Sequence, residues 1–382
     1  MLNTSEETAT NTSSQLLNVM LVDDSAIVRG LLRRIIQQDD KLNIIGTASD
    51  GKIAVDKYKN LKPDVVLMDI EMPEMDGIEA LTEILQIDPQ AKVIMCSSLT
   101  QKGASMTVKA LRIGAVDCLA KPTSNSIDRS QDFEDQLLLR LKAFAKKKRG
   151  TETVSSNPAS SSPVATSKRQ EGGLSIREFP NSLAVSKPQV IAIGSSTGGP
   201  KALSTVLSQL NKSIDIPPIV ITQHIPEGFT KVLAETIEKD SGLTTLEGAD
   251  DILLKPKHIY ISPGGKHMMV ERRTSGIFLK LSDEDPVNFC KPSVDMMMDS
   301  VLEVYQTNIL SIILTGMGQD GQHSCTRIVD ANQKNLLIAQ DEETSTVWGM
   351  PGAVAKAGAC HAILPLEEIA EAINKLLTGQ RP

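Results

Sequence analysis

The sequence is poor in aromatic residues and carries no excess of positive charge. Aromatic side chains make up 3% of its 382 residues, and there is a single Trp. Lys and Arg number 40 against 47 Asp and Glu, so the formal net charge is -7. Proteins that bind nucleic acid need clustered positive charge or aromatic surfaces on which bases stack. The composition therefore predicts a protein with no nucleic-acid partner.

Cysteines are few and scattered. They are odd in number and contain no C-x-x-C pair, so neither a disulfide framework nor a structural zinc site is indicated. We expect reduced thiols, as in a cytoplasmic protein. The five are Cys96, Cys118, Cys290, Cys325 and Cys360.

Signals for export and membrane insertion are also missing from the sequence. Residues 1–18 are rich in Thr, Ser, Asn and Glu and lack the apolar core of a signal peptide. No stretch approaches 18 uninterrupted apolar residues, so we predict no membrane insertion. With 40% hydrophobic residues, the chain has enough apolar surface to form a sizeable core. A soluble, cytoplasmic protein is expected.

A change of composition divides the chain into two parts. At about 150 residues per domain, the length suggests two or three domains. A basic run at 146–149 is followed by a segment dominated by Ser, Thr, Pro and small residues, which is typical of a flexible linker. We predict a disordered tail over 1–17, one domain over 18–144, a linker over 145–187 and a second domain over 188–382.

Both predicted domains alternate apolar runs with helix-period segments, which indicates α/β folds with parallel sheets. The first domain has five such units and is predicted to be doubly wound. The second is predicted to be larger, also doubly wound and mostly parallel, with an antiparallel hairpin within 251–281. The predicted strands are 18–24, 42–49, 64–70, 92–98 and 116–120, then 188–194, 217–224 and 308–316. The predicted helices are 26–38, 51–60, 77–85, 103–113 and 132–148, then 201–210, 230–239, 293–305 and 366–377.

Polar residues end the predicted strands of the first domain, where open α/β sheets bind ligands. Clustered carboxylates favour a hard cation such as Mg²⁺, and a carboxylate beside it can attack phosphorus. A lysine and a hydroxyl would pair with the transferred phosphoryl group. Helix capping or a turn explains any one of these residues taken alone, but the combination favours phosphoryl transfer. They are Asp23, Asp24, Asp69, Ser97 and Lys121.

The motifs VMLVDDS, VVLMDIEMPEMDG, MCSS and AKP resemble the response-regulator receiver domain of two-component signalling, over about residues 18–144. The resemblance implies that Asp69 accepts a phosphoryl group from a histidine kinase. It also implies that Mg²⁺ is held by Asp24, Asp69 and the Glu71 carbonyl, with Asp23 supporting through water.

Two further receiver positions match the resemblance and one departs from it. Ser97 matches the switch hydroxyl, and Lys121 matches the lysine that pairs with the phosphoryl group. Cys118, however, stands where many receivers carry an aromatic switch residue. The aromatic part of the usual signal relay is therefore not expected in this chain.

A Gly-rich turn, GSSTGG at 194–199, separates a strand from a helix in the second domain. Its Gly194-x-Ser196-x-Gly198 spacing fits the turn that exposes a nucleophilic serine in hydrolases. A helix N-terminus of this kind also suits phosphate, but the P-loop and dinucleotide spacings are absent. The turn alone favours a hydrolase over an anion-binding module.

A nucleophilic serine needs a base, and the spacing leaves two arrangements open. His224 ends one predicted strand, and Asp320 follows another and could fix the imidazole tautomer. From spacing alone, Ser196–His224–Asp320 and a Ser–Asp–His order ending at His361 are equally favoured.

Six motifs in the second domain resemble the catalytic domain of the chemotaxis protein-glutamate methylesterase family, commonly called CheB. They are AIGSSTGGP, ITQHIPEGFT, YISPGGKHMMV, KPSVDMMMDSV, LTGMGQDG and TSTVWGMPGAV, between about residues 189 and 377. The resemblance implies Ser196 as nucleophile, His224 as base and Asp320 as the orienting acid. The backbone N–H groups of Met317 and Thr197 are candidates for the oxyanion hole.

With a receiver in front, the architecture is similar to that of the whole methylesterase/glutaminase family of chemotaxis response regulators. It implies a phosphorylation-activated serine hydrolase that demethylates glutamate methyl esters of methylated chemoreceptors, releases methanol and deamidates receptor glutamines in sensory adaptation. No cofactor is implied for the catalytic domain. Phe289, Cys290 and Gly352 depart from the family pattern, at positions where receptor contacts could change.

Rival functions are a receiver joined to a non-catalytic anion-binding module, or an adaptor that acts on the kinase or the receptor. A transcription factor is disfavoured because the second domain lacks a basic helix-turn-helix unit.

Overall fold

A computed structural model describes residues 16–98, 100–121, 128–144, 170–171, 174–180 and 186–382. The predicted tail over 1–17 lies outside these residues except for its last two positions, and so does most of the predicted linker over 145–187. No helix in the described ranges combines the length and apolar character that crossing a bilayer requires.

The first sheet has five parallel strands in the order β2-β1-β3-β4-β5, as predicted. Because all strands run the same way, their carboxyl ends share one edge. The strands are β1 (Leu17–Val22), β2 (Leu42–Ala48), β3 (Val65–Asp69), β4 (Val93–Ser97) and β5 (Asp117–Ala120). The helices are α1 (Ala26–Ile36), α2 (Gly51–Leu61), α3 (Gly77–Ile87), α4 (Gln101–Ile113) and α5 (Asp128–Ala143).

The second sheet has seven parallel strands in the order β10-β11-β9-β8-β14-β15-β16, and two short antiparallel pairs, β6-β7 and β12-β13, lie outside it. The strands are β6 (Gln170–Glu171), β7 (Leu174–Ser175), β8 (Val190–Ser195), β9 (Ile219–Gln223), β10 (Thr244–Glu247), β11 (His258–Ile261), β12 (His267–Arg273), β13 (Gly276–Ser282), β14 (Ile309–Ile313), β15 (Leu336–Gln340) and β16 (Ala362–Leu364). The helices are α6 (Gly199–Ser208), α7 (Thr230–Ser241), α8 (Val294–Tyr305), α9 (Gln322–Ala331), α10 (Met350–Lys356) and α11 (Leu366–Leu377).

Helices cover both faces of the second sheet. Side chains of β8 alternate between two cores: Ile191 and Ile193 pack with α6, α7 and α11, whereas Val190 and Ala192 pack with α8, α9 and α10. Such two-sided burial explains why these strands appear in the sequence as continuous apolar runs rather than as alternating patterns.

The hairpin predicted within 251–281 is shorter than expected. Within residues 251–281, β12 and β13 form the antiparallel strand pair and a single antiparallel bridge joins Leu253 to Phe278, whereas β11 joins the main sheet parallel to β9 and β10. A run of four apolar or aromatic residues cannot reveal the direction of its neighbours, because parallel and antiparallel strands both accept it.

The last part of the predicted linker, residues 174–180, packs against the second sheet. The Arg177 guanidinium pairs with Asp330 at 2.6 Å, and the Arg177 amide donates to the Cys360 carbonyl at 2.8 Å. The Phe179 ring lies 5.7 Å from the ring of His361. A short apolar and charged anchor therefore ends the linker before β8 begins.

His361 should make stability depend on pH. Burial, helped by nearby Arg177, lowers the pKa of His361 from 6.5 to about 4. The unfolded chain therefore binds a proton at His361 more tightly than the folded chain does. The contribution of the neutral His361 to the free energy of unfolding is complete above pH 6.5 and is lost as the pH falls towards 4. The expected loss is about 3 kcal/mol.

The matched variant is His361→Asn, because its Oδ1 can still accept the Leu337 N–H that His361 Nδ1 accepts at 3.2 Å. Urea unfolding at both ends of this pH range should show a smaller loss for the variant. Equal losses in the two proteins would contradict the assignment to His361.

Candidate active site

The Gly-rich turn after β8 is shaped by close packing. Gly198 has a φ of +80°, and a Cβ there would lie 2.4 Å from Thr346 Oγ1. A Cβ on Gly194 would lie 2.6 Å from Val294 Cγ1. Only glycine fits both positions, and the turn therefore presents its central residues in one conformation.

The two adjacent serines of the turn have different environments. Ser195 is fully buried and its Oγ donates to Gln223 Oε1 at 2.6 Å. Ser196 lines a cavity of about 200 Å³ together with His224 and Asp320. The Ser195 hydroxyl is therefore engaged in a buried hydrogen bond, whereas Ser196 faces the open cavity.

His224 and Asp320 are brought together across the sheet. His224 directly follows β9, Asp320 follows β14, and β8 lies between these strands. The Nε2 atom of His224 lies 2.9 Å from Oδ2 of Asp320, with the two side chains 11% and 2% exposed. No hydrogen bond joins Ser196 Oγ to His224 in the described ranges, as is common before substrate tightens a catalytic site.

Four donors hold the Asp320 carboxylate in addition to His224. Ser293 Oγ donates at 2.8 Å, and the backbone amides of Val294 and Asp295 donate at 2.6 and 3.2 Å. The side-chain amide of Asn288 donates at 3.2 Å. Burial opposes ionisation, but His224 and these donors outweigh it and lower the pKa of Asp320 to about 2.

The second nitrogen of His224 faces a thiol. Cys290 Sγ lies 3.6 Å from His224 Nδ1. Burial lowers the pKa of His224, but the facing Cys290 side chain and the Asp320 carboxylate outweigh it and raise the pKa to about 10. These two neighbours therefore favour the protonated ring, and Nδ1 must be free of a proton before it can accept one from Ser196.

Two backbone amides near the cavity are unpaired. Within the described ranges, neither the Thr197 nor the Met317 N–H donates a hydrogen bond. Thr197 directly follows Ser196, and Met317 lines the same cavity. Both predicted oxyanion donors are therefore free to bind a negative oxygen.

The alternative histidine does not reach this cavity. His361 is 7% exposed, accepts the Leu337 N–H and packs against Phe179. The structure therefore brings His224, and not His361, together with Asp320 and Ser196.

A second polar cluster lies at the carboxyl edge of the first sheet. Ligand oxygens of Asp23, Asp24 and Asp69 lie within 4.8 Å of one another. Lys121 Nζ is 2.7 Å from both Asp23 Oδ2 and Asp69 Oδ1. Burial raises the pKa of Asp69, and the nearby Lys121 opposes this rise. Four of the five predicted strand-end residues therefore meet in one place.

The donor set of this cluster fits a hard divalent cation. Asp23 Oδ2 is buried and accepts no well-directed hydrogen bond, despite the nearby ammonium of Lys121. Carboxylate oxygens of this kind are the ligands that Mg²⁺ prefers. The Glu71 side chain turns outward to Lys102 at 3.3 Å.

The two predicted switch positions lie on β4 and β5. Ser97 ends β4 and is 1% exposed, with its Oγ donating to the Ser98 carbonyl at 3.2 Å. Cys118 in β5 is buried in the receiver core. An aromatic ring at that position would have to displace core side chains.

The first sheet contacts the nucleophile turn directly, which the sequence did not indicate. The Gly198 amide donates to the Val116 carbonyl at 2.7 Å. Thr197 Oγ1 donates to Asp117 Oδ2, and Arg140 Nε lies 3.3 Å from the same oxygen.

Helix α5 completes this contact. Gln136, Leu139 and Arg140 line the cavity that holds Ser196. Asp117, Arg140 and Asn288 belong to the site but were missed, because only the packing between the two halves or a turn brings them there. Cys290 was noted only as a departure from the family pattern, and its contact with His224 was missed.

Comparison with known proteins identifies the family of this chain. The family model "CheB methylesterase" matches residues 191–373, and "Response regulator receiver domain" matches residues 19–128. A protein-glutamate methylesterase/protein-glutamine glutaminase of Azospirillum brasilense is 43% identical, over 94% of this chain and 92% of that protein. A protein of the same name from Rhodospirillum rubrum is 41% identical, over 96% of this chain and 97% of that protein.

A solved structure is also similar to part of the chain. The CheB methylesterase catalytic domain of Thermotoga maritima is 36% identical, with a TM-score of 0.47, over 50% of this chain and 99% of that chain. The near full-length matches show that the chain belongs to the protein-glutamate methylesterase/protein-glutamine glutaminase family, with a receiver domain preceding a CheB methylesterase domain.

Proposed function

We propose that this chain is a phosphorylation-activated serine hydrolase of bacterial chemotaxis. It removes methyl groups from glutamate methyl esters of chemoreceptors and deamidates selected receptor glutamines. The observation that carries this proposal is the meeting of Ser196, His224 and Asp320 around one cavity, with two unpaired amides beside it.

The first half-reaction forms an acyl-enzyme. His224 Nδ1, once free of its own proton, accepts the proton of Ser196 Oγ while Asp320 holds Nε2–H and the tautomer. The Ser196 oxygen attacks the ester carbonyl carbon, and the amides of Thr197 and Met317 bind the oxyanion, a contribution of about 3 kcal/mol per donor. The imidazolium then protonates the departing oxygen, and methanol leaves.

The second half-reaction restores the enzyme. His224 accepts a proton from water, and the resulting hydroxide attacks the acyl carbon. As the Ser196–acyl bond breaks, His224 returns the proton to Ser196 Oγ, and the glutamic acid product ionises to glutamate. With a glutamine substrate the first leaving group is ammonia, and the acyl-enzyme is the same. One site can therefore perform both reactions.

The turn offers little to an anion-binding module. The Gly198 amide already donates to Val116 O, and the Gly199 amide donates to Ser196 O. A phosphate at the start of α6 would have to displace the first contact. This geometry favours the hydrolase over its rival.

Methanol release tests the proposal. Receptor membranes methylated with labelled methyl groups should release volatile label in the presence of the full chain, and faster when a phosphodonor is added. If the chain binds the membranes but releases no label under either condition, the adaptor function replaces the hydrolase.

We also propose that Asp69 accepts a phosphoryl group from the chemotaxis histidine kinase. Asp24, Asp69 and the Glu71 carbonyl would hold Mg²⁺, with Asp23 supporting through water, and the bound cation would neutralise the carboxylates and the incoming phosphoryl oxygens. An oxygen of Asp69 attacks phosphorus as the bond to the kinase nitrogen breaks. Lys121 pairs with the transferred phosphoryl group, and the hydroxyl of Ser97 donates a hydrogen bond to it.

Strand β5 connects this site to the nucleophile turn. Lys121 directly follows the last residue of β5 and contacts Asp69. Asp117 is the first residue of β5 and accepts a hydrogen bond from the Thr197 hydroxyl. We propose that the receiver keeps substrate from Ser196 at rest. When Lys121 follows the new phosphoryl group, β5 moves and the contacts of Val116 and Asp117 with the turn break.

Replacement of Asp117 by Ala should raise activity without a phosphodonor. A hydrogen bond to a charged group contributes about 1.5–3 kcal/mol, so basal methanol release should rise about ten- to hundredfold. Stimulation by phosphodonor should shrink in proportion. Asp69→Asn should instead keep basal activity and lose stimulation.

The matched control is Asp240→Ala, which removes another ion pair between the two halves, Arg112 to Asp240 at 2.7 Å, away from the turn. It should change basal activity little. Equal activation by both variants would show that general loosening, and not the β5 contact, controls access.

A further inference from the structure

Cys290 is set apart from the other cysteines of the chain. The other four are buried, whereas Cys290 is partly exposed and lines the active-site cavity. The proposed hydrolysis gives its thiol no step. A thiol held against a catalytic imidazole therefore needs its own explanation.

A tight turn holds this thiol in place. The backbones of Val287 and Cys290 exchange both hydrogen bonds, at 3.1 and 2.8 Å. Between them, Asn288 and Phe289 have φ values of 53° and 63°, the two positive angles of a type I′ turn. The Phe289 side chain is 85% exposed, so packing of its ring does not explain the positive φ. The fold accepts backbone strain here, and the result is a fixed position for Sγ.

The spacing of the thiol and the imidazole matches a tetrahedral metal site. Zinc binds sulfur at about 2.3 Å and imidazole nitrogen at about 2.0 Å, which places the two ligand atoms about 3.6 Å apart at a tetrahedral angle. Cys290 Sγ and His224 Nδ1 are 3.6 Å apart. One ligand atom each from His224, Cys290 and Asp320 also lies within 4.8 Å of the other two.

The surroundings of the histidine match the outer shell of such sites. Histidine ligands of zinc usually donate their other N–H to a carboxylate, which fixes the ring and strengthens the ligand. Here Nε2 faces Asp320 at 2.9 Å, and Asp320 is itself held by Ser293 and by two backbone amides. The ring needs no rotation to present Nδ1 to a metal.

We propose that Zn²⁺ binds between Cys290 Sγ and His224 Nδ1 and inhibits the hydrolase. Binding releases the thiol proton and the Nδ1 proton, and water or the Ser196 hydroxyl fills the positions that face the cavity. Zinc then occupies the lone pair that would accept the Ser196 proton. The inhibition rests on the proposed function, whereas the binding does not.

Cobalt tests the binding without any need for activity. The full chain, freed of metal and kept in excess Mg²⁺ to occupy the receiver cluster, is titrated with Co²⁺ and then with Zn²⁺. We expect thiolate-to-cobalt charge-transfer absorption and the visible bands of a tetrahedral site, reaching a plateau at one metal per chain. Zn²⁺ should displace Co²⁺ and remove these bands.

The variants locate the site. Cys290→Ala should lose the charge-transfer band and weaken Zn²⁺ binding by more than about 100-fold, beyond what loss of an outer-shell contact costs. Ser293→Ala, which removes an outer-shell donor to Asp320, should weaken it by about 10-fold. Asp24→Asn, in the receiver cluster, should leave both the band and the affinity unchanged.

Two outcomes would overturn the site. One is an unchanged cobalt spectrum in Cys290→Ala with an unaltered unfolding midpoint, and the other is a spectrum without thiolate bands in the wild type. A thiolate spectrum in a chain that releases no methanol would instead contradict the proposed function alone. Methanol release that zinc suppresses in the wild type, but much less in Cys290→Ala, would support both.

Discussion

Replacement of Ser196 by Ala should lower kcat for methanol release by about 10⁴-fold or more, since loss of the nucleophile leaves only binding and the oxyanion hole. The alanine variant should still bind methylated receptor, because the cavity and both unpaired amides remain. Methanol release and deamidation should fall together, because both pass through the same acyl-enzyme. The measurement is volatile label released per chain, beside direct binding to receptor membranes.

The neighbouring serine provides the matched control for this change. Ser195→Ala alters the same turn, but the lost hydroxyl is buried and bonded to Gln223. It should cost stability and less than about tenfold in rate, as expected for one buried hydrogen bond. If Ser195→Ala were as inactive as Ser196→Ala, the turn and not the Ser196 hydroxyl would carry the activity.

Asp320→Asn should lower kcat by about 10⁴-fold with little change in KM, because an amide fixes the wrong imidazole tautomer. The effect has a second source in this chain. The carboxylate accepts from Ser293 and from the amides of Val294 and Asp295, and an NH₂ group turned towards any of them leaves two donors facing each other. The reaction should therefore slow even where substrate binds normally.

Asp295→Asn separates the role of Asp320 from a general need for buried carboxylates. Asp295 is buried beside Asp320 and accepts the Ser324 amide at 2.9 Å, but His224 pairs with Asp320. Its replacement should lower the unfolding midpoint while kcat falls by less than about tenfold. An equal fall in kcat for both variants would assign the effect of Asp320→Asn to folding.

Much of the site could be predicted from the sequence because parallel sheets collect functional residues at one edge. Asp23, Asp69 and Lys121 follow or end apolar runs, and so do Ser196 and His224. Locating the runs was enough to place these side chains near one another. Strand ends need to be right only to within a residue or two for this inference to hold.

Contacts between the two halves could not be predicted in this way. Asp117 starts β5, Arg140 lies on α5, and neither position carries a motif for the nucleophile turn. Their contact with Thr197 depends on how the two separately folded cores dock, and the hydrophobic periodicity of the sequence carries no information about docking. The contact of Cys290 with His224 was missed for a related reason: the position of Cys290 depends on a turn with two positive φ values and no glycine.

The shortness of β5 has a mechanical consequence. Four residue steps separate Asp117 from Lys121, about 13 Å of extended chain, and β4 pairs with β5 along this length. A short, paired strand passes on a displacement without first having to order itself. If β5 carries the signal as proposed, that signal has no folding step to wait for, and we expect it to travel at the speed of a collective shift, on the order of microseconds to milliseconds.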